Sequence, residues 1–143
     1  MIQSKNLIGK SVVFGWEWYK NCCLDSFVLD EENQINLLEK VLCSIRQRDN
    51  ECKLYVSTYP IEIKASGYSA YSEMIWITTK LSCDDLEKIF SKYREIEPSA
   101  ILYLTDEEKS SVDLYISDDN QYCDFEQVSD LFRENEVKIL YWD

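Results

Sequence analysis

The chain contains no histidine, and that single gap excludes much chemistry. It removes the usual general base, the Ser-His-Asp triad and the commonest nitrogen ligand of zinc hydrolases. Three Gly and two Pro leave no room for a flexible linker or a phosphate-cradling glycine loop. No run approaches the roughly 20 apolar residues that a membrane span requires. Lys5 and Lys10 stand early, and Lys10 interrupts the apolar stretch that a signal peptide needs. The expectation is a protein that stays in the cytoplasm. Cations are also scarce at one end: after Leu104 only Lys109, Arg133 and Lys138 remain.

What is present fits a folded protein. With 143 residues, 45% hydrophobic and 13% aromatic, the chain can bury a real core and is too rich in aromatics for a disordered acidic tail. Six Cys (22, 23, 43, 52, 83 and 123) show no CxxC spacing, so buried free thiols in a reducing compartment are expected.

Hydrophobic periodicity predicts the elements. Ser11–Tyr19 alternates as a strand, with Val12, Phe14, Trp16 and Trp18 on one face. Trp16 and Trp18 at that spacing read as core more readily than as interface anchors. A helix is predicted from Asp30 to about Arg48, its apolar stripe Ile35, Leu38, Leu42 and Ile45 backed by Leu37 and Val41. Strands follow at 52–59, 61–65 and 74–80. Ser82 and Asp85 have capping-box spacing, and the helix they open carries Leu86, Ile89, Phe90 and Tyr93 inward before Pro98 ends it. Strands 100–104 and 112–116, joined by a polar loop, read as a hairpin. A helix from Asp124 to about Glu134 and a strand at 137–142 complete the order. The stretch from Met74 onward has the β-α-β-β-α-β order of a ferredoxin-like split unit. The fold expectation is a single α+β domain over residues 1–143, a mainly antiparallel sheet with about three helices packed on one side.

The charge is not spread evenly. Thr105–Asp143 holds twelve carboxylates against three cations, a net of −9 out of −12 for the whole chain. In the predicted last helix Glu126, Asp130 and Glu134 recur every four residues, a spacing at which like charges repel by a few tenths of a kcal/mol per pair. Glu134 also meets the negative end of the helix dipole. Asp106, Glu107 and Glu108 lie in the loop between the two predicted strands. Asp118, Asp119 and Asp124 sit at the mouth of the helix. Two readings stand: a solvated face that keeps an acidic protein soluble, or a surface that meets a basic partner and is relieved of its repulsion by it. The partner class is a basic protein, not nucleic acid or membrane, because phosphates would be repelled. No cofactor motif is present.

In size, acidity and lack of catalytic residues, with Asp106 to Glu136 as the matching segment, the chain resembles the immunity proteins of bacterial toxin systems, including those of contact-dependent growth inhibition. That resemblance implies a small non-enzymatic inhibitor that occludes the basic cleft of one toxin domain, such as a nuclease.

Other patterns point elsewhere. Gly67-Tyr68-Ser69-Ala70-Tyr71-Ser72 has the composition of a binding loop, with Tyr68 and Tyr71 as its contacts. An adaptor binding through that loop and an exposed sheet edge is the alternative function. Glu62-Ile-Lys64 and Glu136-Val-Lys138 match the E-x-K pair of metal-dependent nucleases, with Asp113 available as a third ligand, but no Pro-Asp pair precedes either. Asp118-x-Asn120-x-Tyr122 opens like a calcium loop and lacks the later Gly and Glu.

Overall fold

A computed structural model of the chain describes residues 7–65, 67–105, 107–108, 112–116, 122–124 and 136–143, with backbone alone at 67–68 and 122–124. The described residues form an α+β fold. Nine strands are β1 (Val12–Gly15), β2 (Lys53–Ser57), β3 (Glu62–Lys64), β4 (Gly67–Ser69), β5 (Met74–Thr78), β6 (Ala100–Tyr103), β7 (Leu114–Ile116), β8 (Tyr122–Asp124) and β9 (Val137–Tyr141). Three α-helices are α1 (Trp16–Cys22), α2 (Glu32–Arg48) and α3 (Cys83–Phe90). Seven strands make one sheet in the order β6-β9-β5-β2-β1-β7-β8, while β3 and β4 pair as a separate hairpin. All neighbours in the large sheet are antiparallel except β1 and β7.

Alternation along the strands decides which side the helices cover. Val12, Phe14, Leu54, Val56, Ile75, Ile77, Ile116 and Leu140 share one buried cluster with Leu38, Val41, Leu42 and Ile45 of α2 and Leu86, Ile89 and Phe90 of α3. The helices therefore pack on one face. Val13, Tyr55, Trp76 and Ile139, the intervening residues, point the other way into a second buried cluster with Leu104, Val112 and Val137. Both faces of the central strands are apolar, so a one-residue slip in register would exchange the two clusters.

Two local signals hold as expected. Ser82 accepts from the Asp85 N–H at 3.0 Å, and the Asp85 carboxylate accepts from the Ser82 N–H at 3.2 Å. Among the described α-helices this is the one start closed by a side-chain cap. Ser82→Ala is expected to lower stability by about 1 kcal/mol, read as a lower urea midpoint with an unchanged slope. The predicted stripe of α2 is also observed, with Leu38, Val41, Leu42 and Ile45 buried and Ile35 and Leu37 partly so.

Several expectations are corrected. Ser11–Tyr19 is not one strand: β1 ends at Gly15 and α1 begins at Trp16. Trp16, Tyr19 and Cys23 fall at helical spacing and are all buried, which strand alternation conceals. A seven-residue helix has little stability of its own; it is held by that burial and by ion pairs of Glu17 with Lys20 at 2.8 Å and Arg46 at 3.4 Å, and of Lys20 with Glu39 at 3.3 Å. Trp16 and Trp18 are core, as expected.

β6 and β7 do not form a hairpin. β6 pairs with β9 at one end of the sheet, whereas β7 lies beside β1 near the other, so the split ferredoxin-like order is not adopted. Tyr122–Asp124 is a strand paired with β7, and it takes in Asp124, where the last helix was expected to begin. Residues 125–135 lie outside the described residues. Cys22 and Cys43 are exposed and not buried, Cys52 and Cys83 are half-buried, and Cys23 alone of the five described thiols is buried. Burial pushes the Cys23 thiol up to about 12, which leaves it an inert packing group.

Candidate functional site

Among the described residues, Asp113 and Lys138 are engaged in holding the fold. Asp113 accepts from the Ser11 N–H at 2.9 Å and returns its own N–H to the Ser11 carbonyl at 2.9 Å. It thereby pins β7 to β1. Lys138 is 2% exposed; its Nζ lies 3.0 Å from Glu136, donates to the Thr79 carbonyl at 3.1 Å and stands 5.6 Å from the centre of the Tyr103 ring. β9 and β7 are separated by three intervening strands, a span of roughly 19 Å at ordinary strand spacing. Glu136 and Asp113 therefore cannot share a metal ion. Glu62 and Lys64 lie exposed on β3 and face each other at 3.8 Å. Among the described residues no group of three His, Cys, Asp or Glu is placed to hold a metal, and no described helix is long and apolar enough to cross a membrane.

The acidic segment is described in part. Glu107 and Glu108 are exposed and follow directly on the end of β6. Thr105 caps this turn: Glu108 donates its N–H to the Thr105 hydroxyl at 3.2 Å, and that hydroxyl donates to the Glu108 carboxylate at 2.9 Å. Asp124 ends β8 with its backbone opposite Leu114. Asp106, Asp118, Asp119, Glu126, Asp130 and Glu134 lie outside the described residues, as does Asn120 of the calcium-like pattern.

The tyrosine surface differs from the expected one. Tyr68 belongs to β4, with its backbone opposite Ile63, and not to a loop. Tyr71 is 41% exposed and stacks on Tyr59, 49% exposed, with ring centres 5.9 Å apart and planes 23° from parallel. The Tyr59 hydroxyl donates to Glu73. That bond, more than burial, pushes the Tyr59 phenol up to about 12. Tyr59 went unnoticed because it closes a strand and meets Tyr71 only through the fold; the Tyr59 N–H to Tyr71 carbonyl bond of 3.0 Å sets that approach.

A second exposed surface lies at the β6 end of the sheet. β6 is the outer strand of the described sheet, and its Leu102 and Tyr103 are 52% and 54% exposed. Beside it, against α3, runs a cleft of about 460 Å³ lined by Asp84, Glu87, Lys88, Glu97, Pro98 and Ile101 among others. Among the described residues three carboxylates and one ammonium line that cleft, an excess of negative charge. The Tyr103 phenol is raised chiefly by the neighbouring Cys83 thiol, and after it by the Glu136 carboxylate. Comparison with protein-family models, with curated proteins and with solved structures finds no match for this chain.

Proposed function

We propose that this chain is a non-enzymatic binding protein whose partner is a basic protein, and that it acts as an inhibitor of the immunity type, neutralising a cognate bacterial toxin by occluding a cationic cleft. The observation that carries this reading is the net of −9 within Thr105–Asp143. Carboxylates presented where a nuclease binds phosphates compete for the same Lys and Arg side chains. They also speed association by long-range attraction. The anionic cleft beside β6 and the exposed Glu107 and Glu108 extend that character to a described surface.

The test is a charge reversal. Glu126, Asp130 and Glu134 are changed together to Lys, and capture of a basic protein from the native host is compared at low and high salt. Loss of roughly a hundredfold in affinity is expected, about 1 kcal/mol for each of three ion pairs with the partner, with a flatter salt dependence. An intact fold that binds as before at every salt concentration would remove the claim.

A second reading, an adaptor that binds through aromatic contacts, is favoured by the exposed stack of Tyr59 on Tyr71. It predicts little salt dependence and loss of binding when both tyrosines are changed to Ala.

A further inference from the structure

We infer that β6 is a strand-addition site, taking an extended basic segment of the partner alongside the edge that no described strand pairs with, with that segment's cationic side chains in the cleft against α3. The inference rests on the reading that the partner is a basic protein, and it says where and how that protein is gripped.

The backbone register shows which groups are available. Leu104 donates its N–H to the Val137 carbonyl at 2.9 Å, and Tyr103 lies opposite Lys138. Bonded and non-bonded positions alternate along an antiparallel pair. Ala100 and Leu102 therefore face β9 with Leu104, while the N–H and C=O groups of Ile101 and Tyr103 point away from the sheet. Among the described residues no strand pairs with that outer edge.

Proteins ordinarily blunt such an edge with charge or proline inside the strand. β6 reads Ala-Ile-Leu-Tyr, with Pro98 before it but no charge within it. Leu102 and Tyr103 lie open to solvent on opposite faces of this edge, so an added strand would cover apolar area on both sides while completing the ladder. Main-chain bonds give such a complex its affinity and the flanking side chains its selectivity.

Charge selects the occupant. Asp84, Glu87 and Glu97 line the cleft at the start of β6, with Lys88 as the one opposing charge among its described lining residues. A second copy of this chain, itself at −12, would bring like charges together along the same edge. An extended segment alternating Arg or Lys with apolar residues fits the edge, the open side chains and the field.

The experiment uses the full chain and a fluorescent eight-residue peptide alternating Arg and Val, with a control peptide N-methylated at every second residue. Methylation leaves charge and side chains intact and removes the donors that an edge requires. Binding of the plain peptide is expected, weakened at least tenfold by methylation, at least tenfold by Tyr103→Pro in the protein, and severalfold by Asp84→Lys with Glu87→Lys. Equal binding of the two peptides overturns strand addition without needing any variant to fold, and it leaves the acidic-surface reading standing if salt still governs affinity. Self-association of the unmodified chain that Tyr103→Pro disperses would assign the edge to a second copy and overturn the inference as well. Peptide binding that is indifferent to salt would instead count against a basic partner.

Discussion

Phe27→Ala is expected to remove roughly 3–5 kcal/mol of stability, a large share of the 5–15 kcal/mol typical of a domain. Phe27 is 2% exposed and sits where three rings meet. Its centre lies 6.1 Å from Trp16, 6.0 Å from Tyr19 and 5.9 Å from Trp142, all in edge-on geometry. Trp142 in turn meets Phe90 at 6.2 Å and donates its indole N–H to the Ile96 carbonyl at 2.8 Å. Phe27 therefore links the buried face of α1 to the end of β9, and Trp142 carries that link on to the last turn of α3. Aromatic pairs of this kind add about 0.5–1.5 kcal/mol each beyond the area they bury, and three are lost together. The surrounding rings are rigid and large, so the cavity cannot close by small shifts, which places the cost toward the upper end. Urea unfolding followed by tryptophan fluorescence measures it. A loss below about 1 kcal/mol would mean that the aromatic cluster repacks and that Phe27 is not its centre. Phe27→Leu, which keeps most of the volume, is expected to cost about 1–2 kcal/mol.

That cluster also shows where sequence reasoning succeeds and stops. Signals that act within a few residues were legible: the Ser82 box, the apolar stripe of α2, and the runs that became β2, β5 and β9 each announce themselves locally. The fold class followed from them. The break at Gly15 was not legible, because Val12, Phe14, Trp16 and Trp18 alternate as well as any strand, and only the packing of Trp16 and Tyr19 against Phe27 selects a helix. Pairing between distant strands was equally hidden. β7 finds β1 about a hundred positions away and is anchored there by Asp113 and Ser11, whereas the short polar loop pointed to β6. The difference bears on the candidate site, since β9 and not β7 is the strand that lies beside β6. For the candidate site, composition located the charge and one of the two stacked tyrosines. It was silent about Tyr59 and about the cleft at α3, both of which exist only once separate segments meet.

Asp49→Ala is expected to cost about 2 kcal/mol at neutral pH, because the carboxylate satisfies three donors at a part-buried junction. It is 3% exposed. Oδ2 accepts from the Thr79 hydroxyl at 2.6 Å and the Lys80 N–H at 2.9 Å, and Oδ1 from the Glu51 N–H at 3.2 Å. The end of α2 is thereby fastened to the end of β5, and Ala leaves all three donors without a protein partner. The same contacts make the effect depend on pH. The Thr79 hydroxyl above all, and the Lys80 and Glu51 N–H groups after it, hold the Asp49 carboxyl below its ordinary value of 3.8, against the opposing effect of burial. A depressed folded value means that the unfolded chain takes up the proton first as pH falls. The contribution of the charged form is thus fully present above the unfolded value and fades as pH drops through the folded one. The gap in stability between the natural chain and Asp49→Asn should stay constant from neutral pH down to about 5, then narrow below about 4. Asn retains one acceptor and cannot titrate, which isolates the charge from the geometry. Parallel stability curves for the two proteins through the acid range would show that hydrogen-bonding shape, and not the negative charge, closes this junction.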